Sequence, residues 1–129
     1  MTSASGLYLE KARQSLGEAH AISQIGLFES AGRAAYLAAH HAAQAFIFDR
    51  TGRIAKTHSG VRSEFARLAK DDPRIDRALL KFLGQAYNLK AIADYAIGDD
   101  AGLTQSEAEE AIGSAERFID CIVQLLSAT

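Results

Sequence analysis

The sequence has one cysteine, one proline, one methionine and no tryptophan. A lone cysteine, Cys121, excludes an intrachain disulfide and a thiolate zinc cluster. One proline leaves nearly the whole chain free to be helical. Charge of either sign is not in excess: 14 Lys and Arg face 16 Asp and Glu, for a net −2. No global field therefore draws in nucleic acid or an anionic membrane. No apolar run approaches the ~20 residues of a membrane span, because Arg, His, Lys and Asp interrupt each candidate. The opening MTSASGLYLEKARQ lacks the basic end and apolar core of a signal peptide. A phosphate loop of the G-x-x-x-x-G-K-[ST] type is missing, as is any Ser or Cys hydrolase signature. The expectation is a cytoplasmic protein with no membrane segment and no cofactor.

What is present is Ala, Leu, Ile, Glu and Arg at helical spacing over 129 residues. That length suits one all-α domain, residues 1–129, with a real core and no staples. The richest stretch is FESAGRAAYLAAHHAAQAFIFDR, 28–50. Alanine is the best helix former and lets neighbouring helices approach closely. Apolar residues on nearly every side of the wheel predict a central helix, the most buried of the molecule. Arg33, Tyr36, His40 and Gln44 follow at steps of three or four and line one polar stripe. His41 diverges from it toward the alanines, which predicts a core histidine bonded to a neighbour.

The first helix is expected from Leu7 to Ile25, with Gly26 at its left-handed end. So short a connection makes the first two helices an antiparallel hairpin. Thr51-Gly52 breaks the second helix, and RIAKTHSG, 53–60, reads as a loop. Ser59 is expected to cap a short third helix, 61–70. Asp72 at the N-cap and Pro73 at the first helical position predict a fourth helix running to about Ile97. Residues 98–102 form a loop, and Thr104 with Glu107 makes a capping box for a fifth helix ending near Ser127.

No histidine has the three- or four-residue spacing to a second one that a helical metal site needs, so no metal is expected. Arg53, Lys56 and His58 are the densest local cationic group and precede a helix start, which can bind an anion. The structural alternative is that Thr57, His58 and Ser59 bond the loop's own backbone. Lys90 and Asp94 form an i,i+4 pair on the fourth helix, between Tyr87 and Tyr95.

The strings GRAAYLAAHHAAQA (32–45), KTHSGV (56–61) and ADY (93–95), with the closing acidic helix, resemble a HEPN domain of the small stand-alone bacterial kind. The resemblance spans almost the whole chain. It implies an up-and-down antiparallel bundle of four long helices plus a short one, and a homodimer. It implies a setting in toxin–antitoxin or other defence systems, a small nucleotidyltransferase as partner, and RNA or a nucleotide as ligand. Many members are metal-independent ribonucleases whose R-x(4–6)-H motif meets at the dimer interface. Here Lys90 stands where that motif has Arg, and Tyr95 where it has His. Lysine keeps the charge but loses the fork that grips phosphate, and tyrosine titrates near ~10, far from neutral.

Two readings follow. One is a non-catalytic dimeric module that binds a partner protein, nucleotide or RNA through Arg33, Tyr36, His40, Arg53, Lys56, His58 and Asp94. The alternative is a metal-independent ribonuclease with an altered set, Lys90 and Tyr95 together with Arg33, His40 or His58.

Overall fold

The computed structural model describes residues 3–95 and 102–127, with the side chains of all but residues 3, 89 and 91–95. Five helices follow one another: α1 (Ser3–Gln24), α2 (Phe28–Thr51), α3 (His58–Ala69), α4 (Arg77–Tyr95) and α5 (Gln105–Ser127). They form an all-α bundle, and the described residues contain no strand.

The α1–α2 hairpin turns at Gly26, whose φ of 82° is the left-handed value that glycine adopts without strain. At the far end of α2, Gly52 is the left-handed C-cap, and its N–H donates to the Phe48 carbonyl. The expected limits of α2 therefore hold to within one residue. Its neighbours include α1, α3, α4 and α5, so it is the axis of the molecule. Ala31, Ala35, Ala38, Ala39, Ala42, Ala43 and Ala45 are all fully buried along it. The chain's own helices thus cover the apolar surface of α2.

The core is filled by larger side chains from the end of α2 and from the outer helices. Phe46 of α2, Phe65 of α3 and Phe118 of α5 form a chain of rings with centroids 5.5 and 5.2 Å apart. α5 is amphipathic, and it buries Ala108, Ile112, Ala115, Ile119, Ile122 and Leu126. Its start is the expected capping box: Glu107 N–H donates to Thr104 Oγ1 at 3.1 Å, and Thr104 N–H donates to the Glu107 carboxylate at 3.0 Å.

Three helix starts differ from expectation. α1 begins at Ser3 rather than Leu7, since the small residues 3–6 extend the helix and bring the Ser5 hydroxyl to the Ala45 carbonyl at 3.2 Å. α3 begins at His58, capped by Thr57 rather than Ser59. α4 begins at Arg77 rather than Pro73. Asp72 does not cap it: the Asp72 carboxylate accepts from the Arg74 backbone N–H at 3.0 Å and grips the Arg74 guanidinium. The result is a turn across 72–75, closed by Ile75 N–H on the Asp72 carbonyl. Asp76 caps instead, accepting from Ala78 N–H at 2.9 Å. The expected end at Ile97 and most of the 98–102 loop lie outside the described residues.

Candidate functional site

The polar stripe of α2 faces inward, toward α3 and α4. Tyr36 is fully buried, and His40 is 4% exposed. Gln44, one turn further, ties down the loop after α2. Its amide N–H donates to the Ala55 carbonyl at 2.9 Å, and its oxygen accepts from His41 Nδ1 at 2.8 Å. His41 is thus bonded to a neighbour as expected, but it is half-buried rather than in the core. The α2 helix turns it away from His40 toward the bundle's edge.

The loop 52–57 delivers His58 into this seam. Thr57 is extended, and its hydroxyl accepts from Gly60 N–H at 2.9 Å. A Cβ on Gly60 would lie 2.6 Å from that hydroxyl, so any larger residue at position 60 would press on the cap. This fulfils the structural alternative for Thr57. His58 instead leaves the loop's backbone and turns inward, and Tyr36 Oη lies 2.5 Å from His58 Nδ1. Tyr36 Oη is also 3.4 Å from His40 Nδ1. The shorter contact takes the phenol's single proton, which makes His58 Nδ1 an acceptor and leaves His40 Nδ1–H to donate to the phenol oxygen.

Two residues outside the expected set complete the cluster. Tyr87 of α4 lies edge-on to Tyr36 at 5.8 Å and tilted against His58 at 5.6 Å. Arg62, one turn beyond His58 on α3, stacks its guanidinium over the Tyr87 ring at 4.2 Å. That stacking offsets part of the cost of Arg62 Nη1, which is buried with no hydrogen-bond partner among the described residues. The His58/Arg62 spacing of four is visible in the sequence. It has meaning only once α3 is known to begin at His58.

Burial sets the electrostatics. Desolvation pushes the His40 pKa down to about 4, helped by the nearby His58, His41 and Arg62 charges. His40 is therefore neutral at pH 7. Desolvation likewise pushes the Tyr36 phenol up to about 12, against the pull of Arg62. Its proton stays on at any physiological pH.

Arg53 and Lys56 are exposed on the loop, and Arg33 is half-buried on α2. Lys90 is half-buried on α4, one turn beyond Tyr87 and on the same side of that helix. Asp94 and Tyr95 lie on the last turn of α4, but their side chains are outside the described set. Among the described residues no group of three His, Cys, Asp or Glu could hold a metal ion. No described helix is long and apolar enough to cross a membrane.

A family model described as HEPN domain matches residues 5–126. The crystal structure of TT1696 from Thermus thermophilus superposes with a TM-score of 0.81 at 24% identity. That match covers 95% of this chain and 98% of the other, and at this identity it speaks to the fold. No curated protein matches the sequence.

Proposed function

The chain belongs to the HEPN domain family, and from that premise we propose that it is a non-catalytic, dimeric HEPN module of a bacterial defence or toxin–antitoxin system. It acts by binding a partner protein, nucleotide or RNA, with a small nucleotidyltransferase as the expected protein partner. One observation carries the non-catalytic reading: the histidines nearest the centre of the molecule are engaged with Tyr36 instead of being presented to a substrate. Cleavage through a 2′-hydroxyl needs a group that exchanges a proton near neutral pH, within hydrogen-bond reach of the reacting atoms. His40 is buried and its pKa is pushed down to about 4, so at pH 7 it is a neutral imidazole and no imidazolium acid. Tyr36 titrates at about 12, so it takes none. Lys90 and Tyr95 at the family's Arg and His positions point the same way.

The ribonuclease reading has one observation in its favour. His58 is only half-buried, and Arg62 follows it by one turn, so an imidazole and a guanidinium share one face of α3. Incubation of single-stranded RNA in EDTA with wild type, His58→Ala, His40→Ala, Lys90→Ala and Tyr95→Phe separates the two readings. The expected result is no cleavage by any of them. Robust cutting by wild type that disappears in one of these variants overturns the non-catalytic reading and identifies the reacting residue. The dimer is checked by light scattering at tens of micromolar, with twice the chain mass expected.

A further inference from the structure

α3 and α4 touch each other far less than either touches α2, and a groove runs between them. It consists of two adjoining cavities, of about 1120 and 440 Å³, which share Ala66 and Leu80. Ala66 is exposed in the middle of the floor, although it sits within a helix. Gly84 widens one end, since a Cβ there would meet nothing within 4 Å. From Ser59 to Lys70 the groove follows α3 for about 16 Å, the length of three helical turns.

Its charge is lopsided. Lys70, Arg77 and Lys81 line one end, and Arg62 lines the other. No salt bridge engages Lys70, Arg77 or Lys81 among the described residues. Two carboxylates also line it, Asp71 and Asp72. Asp72 is held by Arg74 at 2.8 Å, so its charge is offset locally and the rim remains net positive.

The floor decides the kind of anion. Its accessible middle is Ala66 and Leu80, flanked by Ile75 and Leu83. Among the described residues that line it, Phe65 is the one aromatic and is 1% exposed, so they offer no ring face for a base to stack on. Single-stranded nucleic acid binds on exposed aromatic platforms. A small-residue aliphatic floor between basic rims instead fits a helix with an apolar stripe and acidic flanks. The chain's own acidic helix, α5, cannot supply it from a second copy, because its apolar face is buried in its own core.

We propose that the α3–α4 groove is the docking site for an acidic amphipathic helix of a partner protein. This rests on the binding-module reading above and names the partner's chemistry. The chain has no tryptophan, so a probe peptide carrying one reports its own burial. The probe is a synthetic helix of about 14 residues, ~21 Å long, with Leu and one Trp at i, i+3, i+4 and i+7 and Glu on its flanks. Saturable blue-shifted fluorescence is expected with wild type. Ala66→Glu, which fills the floor, and the exposed-site pair Arg77→Glu/Lys81→Glu should each weaken binding about tenfold or more. Lys11→Glu on α1 should leave it unchanged. The rim pair keeps the test intact if Ala66→Glu disturbs folding, which circular dichroism reports.

The proposal is overturned by absent saturable binding, by equal binding of a Lys-flanked peptide, or by equal weakening in Lys11→Glu. It is also overturned if a 12-nucleotide RNA displaces the probe and is lost in the same variants, which would make the groove an RNA site. A wild-type dimer that Ala66→Glu turns into a monomer would make it a self-interface. RNA cleavage by wild type would instead sink the non-catalytic reading alone.

Discussion

Tyr36 and His58 are separated by 22 positions, yet the phenol oxygen of one lies 2.5 Å from Nδ1 of the other. This bond fixes the end of the 52–57 loop against the central helix. With Gln44 on the Ala55 carbonyl, it makes the loop part of the packed interior at two points.

Replacing Tyr36 by phenylalanine keeps the ring and removes the oxygen. His58 Nδ1 then loses its donor and His40 Nδ1–H its acceptor. A loss of roughly 1–3 kcal/mol in chemical unfolding is expected. His58 should also regain access to solvent, seen as faster modification by diethyl pyrocarbonate. Unchanged stability and unchanged His58 reactivity would mean that the bond is not formed in solution.

Acid should destabilise this protein through His40. Its folded pKa is about 4 against an ordinary 6.5. Between those values the unfolded chain binds the proton that the folded chain refuses, so stability rises with pH across the window. The His40 contribution is whole above pH 6.5 and is lost as pH falls toward 4, to a total of roughly 3 kcal/mol. Denaturant melts at half-unit steps of pH should show this slope, and His40→Gln should flatten it. An equal slope in that variant would assign the effect to other groups.

The Thr57–Gly60 pair gives a contrast between two small substitutions. Thr57→Ala removes the cap and should cost about 1 kcal/mol. Gly60→Ala pushes a methyl group against the same hydroxyl, and it should cost at least as much although alanine is the better helix former. A stabilising Gly60→Ala, by thermal melting, would show that the hydroxyl can move aside freely.

Much of this arrangement was legible in the sequence where a local signal had one meaning. The α2 alanine run, Gly26, Gly52 and the Thr104–Glu107 box each specified a local geometry, and each has it. Asp72-Pro73 carried two meanings, a helix start and a turn. The Arg74 guanidinium decided for the turn, and the start passed to Asp76. The stripe Tyr36–His40–Gln44 was visible as a stripe. Its direction was not, because whether a polar face looks outward depends on which helices cover it. Arg62 and Tyr87 were missed as partners for a related reason: they join the cluster across helices, and no periodicity in one segment records that.

The alanine-built axis also sets how this chain can vary through descent. Its fully buried alanines have no exposed surface left, so a larger residue there overpacks the core, typically at about 1–3 kcal/mol. Polarity is restricted at many core positions in proteins; along α2 it is volume. Changes of volume are better accommodated at exposed positions of the outer helices, such as Ala66 and Lys81 along the α3–α4 groove. The groove can therefore change its lining without moving the axis of the fold.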